Sequence, residues 1–240
     1  MSHPISPRVP SVFVPVRDLK LATEWYANLL ERHIIPREHE DGIYIFDFDG
    51  TEVILDSNAW GSPSTIMFDT KDIASAYDFC AGQRYDTLTD VFSDEYISVF
   101  TVNSNLICQA HRLPETAKSK PAHALLSKIG HVLIHTDTLN ETVEWYETLV
   151  ARTAEPDSRF PELCCIRLEK GAHLLFNDKR FCESGKPVGI IETSDLDAAL
   201  AHVQAKGATV ARGMETRMSV RCFVFGDPDG NEFIVCQTDV

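Results

Sequence analysis

The chain has 240 residues, of which 44% are hydrophobic and 24% are charged, as in globular proteins of one large domain or two smaller ones. With 36 acidic and 22 basic side chains the formal net charge is −14, which disfavours nucleic acid and anionic membrane surfaces as partners. The seven cysteines are odd in number, and no stretch has the features of a signal peptide or membrane span, so we expect a cytoplasmic protein with reduced thiols.

The spacing of apolar residues in the first half predicts two successive units. A β-branched run over residues 9–16 predicts a strand, and a helical period from Leu19 to Leu30 predicts a helix. Three short strands should follow, near residues 33–36, 43–48 and 52–56. A second unit begins at Thr65, with a helix over residues 71–81 and further strands to about residue 110.

The second half shows the same succession of elements. The predicted elements are strands at Lys128–Thr136 and Pro187–Glu192 and helices at Leu139–Val150 and Leu196–Lys206. For the last of these helices, Asp195 suits the N-cap and Gly207 the C-terminal stop. The order of elements therefore repeats along the chain.

The sequence itself repeats with the same period. Ser11–Tyr26 aligns without a gap on His131–Tyr146, and both segments contain the triplet Glu-Trp-Tyr. Because each half also divides in two, we predict four βαβββ units. The predicted domains are residues 8–112 and 127–240, joined by a linker over residues 113–126.

Two motifs resemble a known superfamily. His131–Tyr146 is similar to the opening of a vicinal-oxygen-chelate domain, where a histidine starts the first strand and an aromatic pair ends the helix. Phe225–Phe233, with its Asp-Pro-Asp-Gly turn, is similar to the hairpin before the last strand. Over residues 9–238 the chain thus resembles the glyoxalase, bleomycin-resistance and extradiol-dioxygenase superfamily. The resemblance implies an α+β fold of two tandem domains, each a cup-shaped mixed sheet with helices outside and a ligand pocket inside.

Strand alternation predicts which side chains face the cup of the second domain. One face of its strands is uniformly apolar and should contact the helices: Val132, Ile134, Leu174, Phe176, Phe233 and Val235. The opposite face is mixed, and its polar members are His131, His135, His173, Asn177 and Glu232. The corresponding face of the first half has far fewer side chains that could bind a ligand. The first domain therefore resembles a copy of the repeat with a structural or specificity-setting role.

The resemblance also implies where a metal would bind. Metal enzymes of the superfamily take ligands from the first and last strands of each unit, at positions that correspond here to His131, Leu175, Val188 and Ile234. Only the first can ligate, so no metal is expected. The alternative is a displaced set of His131, His173 and Glu232 holding a divalent Fe, Mn, Ni or Zn ion.

Three further residues are candidates for ligand binding. Trp60 lies in a loop of Gly, Ser and Pro that could cover a pocket, and Arg217 and Arg221 could meet an anionic substrate. For both arginines an exposed position at a sheet edge is the competing interpretation.

The leading functional hypothesis is a metal-independent protein that binds a small molecule in the second cup, through the histidines and Asn177. It would sequester this ligand or use His131 or Glu232 as an acid or base. The alternatives are a metal-dependent lyase, isomerase or dioxygenase with displaced ligands, and a non-catalytic interaction protein. Both a monomer and a homodimer are compatible with the sequence.

Overall fold

The computed structural model describes residues 3–35, 42–83, 87–111, 123–178, 187–217 and 220–237. Within these residues, the two halves of the chain build two large mixed sheets, one of seven strands and one of eight. A short two-stranded pairing, β1 (Arg8–Val9) with β12 (Lys170–Gly171), connects the halves. The α+β fold expected from the repeats is therefore confirmed.

The first half contains eight strands and two helices among the described residues. They are β1, β2 (Ser11–Pro15), α1 (Leu19–Leu29), β3 (Ile43–Phe48), β4 (Thr51–Asp56), β5 (Thr65–Asp69), α2 (Ile73–Gly82), β6 (Phe92–Ser93), β7 (Ile97–Val102) and β8 (Asn105–Ala110). The sheet order is β3-β4-β2-β5-β8-β7-β6, so the first strands of the two units, β2 and β5, lie side by side at its centre.

The second half repeats this plan. Its elements are β9 (Lys128–Thr136), α3 (Leu139–Val150), β10 (Ala154–Pro156), β11 (Cys164–Ile166), β12, β13 (His173–Asp178), β14 (Pro187–Thr193), α4 (Leu196–Ala205), β15 (Thr209–Arg217), β16 (Val220–Gly226) and β17 (Glu232–Gln237). The sheet order is β10-β11-β13-β9-β14-β17-β16-β15. The bounds of β9 and α3 coincide with the predicted ones. At α4 the Asp195 carboxylate accepts from the Ala198 amide, as an N-cap does.

One predicted strand differs. Residues 33–35 do not form a strand, and the end of the predicted segment, residue 36, lies outside the described residues. The amide of Ile35 donates instead to the phenol oxygen of Tyr44, at 3.0 Å. A side chain thus satisfies a backbone donor that a strand would have paired with a carbonyl.

The predicted sidedness of the second sheet is confirmed. The six residues expected to face the helices, from Val132 to Val235, all belong to the main apolar core. Alternate residues on the same strands, including Leu133, Leu175 and Ile234, form a second, smaller cluster inside the cup. Because a strand's side chains alternate, each strand contributes to both layers.

The halves interlock around Gly171, which has φ +76°. A Cβ there would lie 2.5 Å from the carbonyl oxygen of Val9. Beside it, the Thr51 hydroxyl accepts from the Ala172 amide and donates to Val9. Only glycine allows these two segments of the chain to approach this closely in this backbone conformation. No helix of the described residues is long and apolar enough to cross a membrane.

Candidate ligand pocket at the mouth of the second sheet

A pocket of about 640 Å³ opens at the Lys128 end of β9. Its wall is formed by β9, the end of β14, the start of β13, two segments over residues 157–159 and 167–171 and, from the first half, Asp49. Its charged and ionisable side chains include His131, Asp157, Arg159, Arg167, His173 and Glu192. The lining holds four cationic side chains, since Lys128 and Lys170 lie at it too, and four carboxylates, those of Asp49, Asp157, Glu169 and Glu192.

Glu192 reaches the pocket over a bulge in β9. Ile190 pairs with His131 and Ile191 with Ile129, so Gly130 is the extra residue between the two pairs. A Cβ on Gly130 would lie 2.3 Å from Oε1 of Glu192. The missing side chain at Gly130 therefore leaves room for this carboxylate.

Asp157 shapes the segment that follows β10. Its Oδ1 accepts from the amides of Arg159, at 2.9 Å, and Phe160, at 3.0 Å, forming an Asx turn. Burial raises the pKa of the Asp157 carboxyl, but these two backbone hydrogen bonds and the positive charge of Arg159 outweigh it and hold the pKa below its usual value. The turn aims Arg159 back at β9 and Phe160 into the cup.

His131 is held between these two residues. Its Nε2 lies 3.3 Å from Oδ2 of Asp157, and its Nδ1 lies 3.1 Å from Nη2 of Arg159. A guanidinium can only donate, so Nδ1 accepts and the ring proton is on Nε2. Burial, reinforced by the Arg159 charge, lowers the pKa of His131 to about 4, so the imidazole is neutral near pH 7.

Arg159 also binds Glu192. The same Nη2 donates to Oε1 of Glu192 at 3.0 Å, and Oε2 of Glu192 pairs with Lys128 at 3.1 Å. Charges therefore alternate along the wall, from Lys128 through Glu192 and Arg159 to the neutral His131 and then Asp157. This network satisfies the buried carboxylates within the protein.

Arg167 and His173 are held more loosely on the other side of the pocket. Arg167 is half-exposed; its Nη2 donates to the Ser158 hydroxyl at 3.1 Å and lies 3.6 Å from Oδ2 of Asp157, longer than a hydrogen bond. The His173 ring is 5.6 Å from that of His131, and its Nδ1 accepts from the Leu168 amide at 3.1 Å. Its Nε2 consequently carries the proton, while burial lowers the pKa of the ring. Both side chains can offer donors to a ligand.

The interior of the cup is filled by the protein's own side chains. The aromatic ring of Phe160 packs there with Cys165, Leu175, Ile190, Cys222 and Cys236, all buried. The candidate site is therefore at the mouth of the cup and not at its centre.

The predicted cup residues separate into two groups. His131 and His173 are register partners and line the pocket together. His135 and Asn177 are also partners, but four residues further along the same strands, about 13 Å away. Glu232 pairs with Pro187 at the far end of β14, further from the pocket than Ile234. Glu232 therefore does not line the pocket. The two residues predicted as acid and base, His131 and Glu232, are thus not brought together.

The remaining predicted residues lie elsewhere. Arg217 pairs with Glu215 on its own strand, and Arg221 pairs with Asp197 of α4, on the helix side of the sheet. Trp60 is exposed and stacks under the guanidinium of Arg17. Its neighbours Ala59 and Ser62 line a smaller pocket of about 310 Å³ on the sheet of the first half.

The ligand positions that the superfamily implies do not fit a metal here. Leu175 and Ile234 belong to the apolar cluster inside the cup. The register places Ile190, not Val188, beside His131, and Val188 belongs to the helix-facing core. Buried aliphatic side chains offer no donor atom, so of this set only His131 can ligate.

The sequence did not predict most of the residues that line the pocket. Asp157 and Arg159 lie in a segment without periodicity, and their role depends on a turn that brings them back to β9. Glu192 is the last residue of a predicted strand and lies two residues after Ile190, which faces the cup. Alternation of side chains would therefore have assigned Glu192 to the cup as well. One described group has metal-ligand spacing: ligand atoms of His131, Asp157 and Cys165 lie within 4.8 Å of one another.

Comparisons with known proteins agree with the architecture. Residues 131–236 match the family model of a glyoxalase-like domain, whereas sequence comparison with curated proteins gave no match. Among solved structures, a catechol 2,3-dioxygenase is 12% identical and superposes with a TM-score of 0.63, over 97% of this chain and 94% of that one. The 2,3-dioxygenase LapB of Pseudomonas sp. KL28 is 15% identical, with a TM-score of 0.60 over 97% and 92%.

A third similar structure is the Mn(II)-bound glyoxalase of Novosphingobium aromaticivorans, 12% identical, with a TM-score of 0.58 over 97% of this chain and 82% of that one. The chain therefore has the vicinal-oxygen-chelate fold, as its sequence motifs indicated. At these identities the similarity establishes the fold and leaves the activity to the site itself.

Proposed function

We propose that this chain is a cytoplasmic, metal-independent binding protein for a small molecule with an anionic group, a carboxylate or a phosphate. The observation that carries the proposal is the polar pocket of about 640 Å³ at the mouth of the second sheet, where Arg167, Lys170 and His173 present donors. The volume lies in the range of small-molecule sites, roughly 300–1,000 Å³.

Two cations of the pocket, Arg167 and Lys170, are not paired with Glu192 and are the groups that would bind an anion. Lys128 and Arg159 share the single carboxylate of Glu192. The Nη2 of Arg167 donates to the Ser158 hydroxyl at 3.1 Å and lies 3.6 Å from Asp157, a carboxylate that accepts other hydrogen bonds, and its other nitrogens are turned to neither. Arg167 therefore retains donors that match a planar carboxylate or a phosphate. Binding there exchanges water for charge-assisted hydrogen bonds without breaking the internal network.

Binding is better supported than acid–base catalysis. Both ring nitrogens of His131 are engaged, one by Asp157 and one by Arg159, so its proton and its lone pair are both committed. Glu232 does not line the pocket. In this arrangement His131 is a positioning residue that fixes Arg159 and Asp157.

Thermal-shift titrations with inorganic phosphate and with benzoate test this proposal. Both anions should stabilise the wild type, and Arg167→Gln should weaken binding about tenfold, or ~1.4 kcal/mol. Arg221→Gln is the matched control, since Arg221 is similarly exposed but pairs with Asp197 on the helix side. Equal shifts in both variants, or none in the wild type, would reject an anion site at this pocket.

A second candidate is a metal-dependent lyase, isomerase or dioxygenase. It is favoured by the close approach of His131, Asp157 and Cys165, and by the Mn(II) in a glyoxalase of the same fold. Stoichiometric divalent metal in untagged protein, lost in His131→Ala, would support this candidate over the first.

A further inference from the structure

We infer that the guanidinium of Arg159 is a built-in cation that takes the place of a metal ion in this site and keeps divalent metals out. The pocket proposed above binds an anion through Arg167. This inference concerns a different residue and is tested by a different measurement, so either can fail alone.

The geometry for a metal centre is largely present. His131, Asp157 and Cys165 are all buried, and their ligand atoms converge within 4.8 Å. The hydrogen bond from Nε2 of His131 to Oδ2 of Asp157 is a long one, at 3.3 Å. Its length is close to the distance of about 3.3 Å between two tetrahedral ligands of Zn²⁺ with bonds of about 2.0 Å.

Arg159 prevents a metal ion from binding there because it determines which ring nitrogen of His131 carries the proton. Metal-bound histidines donate their second ring N–H to an acceptor, and the free lone pair of the first nitrogen binds the ion. Here the group at Nδ1 is a guanidinium, an obligate donor, at 3.1 Å. The proton is therefore on Nε2, the nitrogen that lies against the Asp157 carboxylate. The ring is held in the tautomer that cannot ligate at that side.

Arg159 also supplies the positive charge that an ion would otherwise provide. Its Nη2 bridges Nδ1 of His131 and Oε1 of Glu192, so one cation joins a first-strand histidine to a carboxylate. Without it, Glu192 would retain only Lys128, and the neutral ring of His131 could move its proton to Nδ1. Nε2, the Asp157 carboxylate and the Cys165 thiolate would then be free to bind a divalent ion, which would displace the thiol proton.

The test is titration of the full chain with Co²⁺, followed by the thiolate-to-cobalt absorption band. Arg159→Ala should bind one Co²⁺ per chain, about 100-fold more tightly than the wild type. The double variant Arg159→Ala/Cys165→Ser should lose the thiolate band. Arg221→Ala is the matched control, because it removes an arginine that pairs with Asp197 on the helix side and leaves the Arg159–His131 bond in place. It should remain as weak as the wild type.

The inference is overturned if the wild type shows the thiolate band at the same affinity as Arg159→Ala, or if a folded Arg159→Ala binds no cobalt. Arg159→Met, which keeps the packing of the aliphatic stem, replaces the alanine variant if circular dichroism shows that the latter does not fold. Nitrogen-15 spectra of wild-type His131 give an independent check. They should show the Nε2–H tautomer at neutral pH, and an Nδ1–H tautomer would contradict the inference.

Discussion

The phenol of Tyr26 in the first half donates a 2.9 Å hydrogen bond to the buried carboxylate of Asp227 in the second half. Its counterpart in the repeat, Tyr146, donates at 3.0 Å to Oδ1 of Asn105 in the first half. Each tyrosine stands in the first helix of its own half and binds the last hairpin of the other. The repeated Trp-Tyr pair thus contributes a reciprocal contact that joins the two halves.

Removing either phenol should destabilise the protein, but unequally. Tyr146→Phe leaves Oδ1 of the buried Asn105 without this donor and should cost about 1–3 kcal/mol. Tyr26→Phe should cost about 1 kcal/mol, because Asp227 still accepts from Asn231 and Asp229. Urea unfolding measures both, with Tyr96→Phe, at an exposed tyrosine, as the control. A larger loss at Tyr26 than at Tyr146 would contradict this ranking.

Much of the fold follows from local patterns, and the pocket does not. The spacing of apolar residues predicted the exact bounds of β9 and α3. Alternation assigned Val132 to the helix-facing core and Leu133 to the cup, as observed. Both are properties of neighbouring residues in one strand or helix. The contact of Arg159 with His131 and Glu192 joins residues 28 and 33 positions apart. It depends on a turn, a bulge at Gly130 and the pairing of strands, which no single segment encodes.

Alanine at Gly171 should be far more costly than alanine at another left-handed glycine. Gly171 and Gly61 have φ of +76° and +86°, so both substitutions carry a similar backbone penalty, about 1 kcal/mol. At Gly61 nothing lies within 4 Å of the added Cβ, whereas at Gly171 it would lie 2.5 Å from a backbone oxygen. Thermal unfolding of the two variants compares them directly. Equal losses would show that the junction of the halves can relax.

His123 should make stability depend on pH. Burial, together with the positive charge of neighbouring His202, lowers the pKa of His123 in the folded protein. As the pH falls below about 6.5, the unfolded chain binds a proton that folded His123 resists, so the unfolding free energy decreases. Above that pH this contribution to stability is fully present.

The variant His123→Asn keeps an acceptor for the amides of Leu125 and Leu126 and removes the titration. Its unfolding free energy should therefore fall less steeply than that of the wild type between pH 7 and pH 5, by at most about 1.4 kcal/mol per pH unit. His33→Asn, at an exposed histidine, serves as the control. The control should keep the wild-type dependence of the unfolding free energy on pH. If His123→Asn keeps it as well, His123 does not contribute to that dependence.

Phe160 fills the interior of the second cup, and its removal should open that space. Phe160→Ala deletes a buried ring that packs on Cys165 and Leu175 and should cost about 3–5 kcal/mol, while the Asx turn at Asp157 uses only the backbone of residue 160. The cavity would be lined by apolar side chains and thiols, so it should remain dry and accept a small aromatic molecule such as benzene.

Benzene should raise the melting temperature of Phe160→Ala and leave that of the wild type unchanged. Phe92→Ala, at an exposed phenylalanine, is the control and should show little loss and no benzene effect. Stabilisation of the wild type by benzene would mean that the native cup already admits apolar ligands. The candidate site would then extend from its charged mouth into the interior of the sheet.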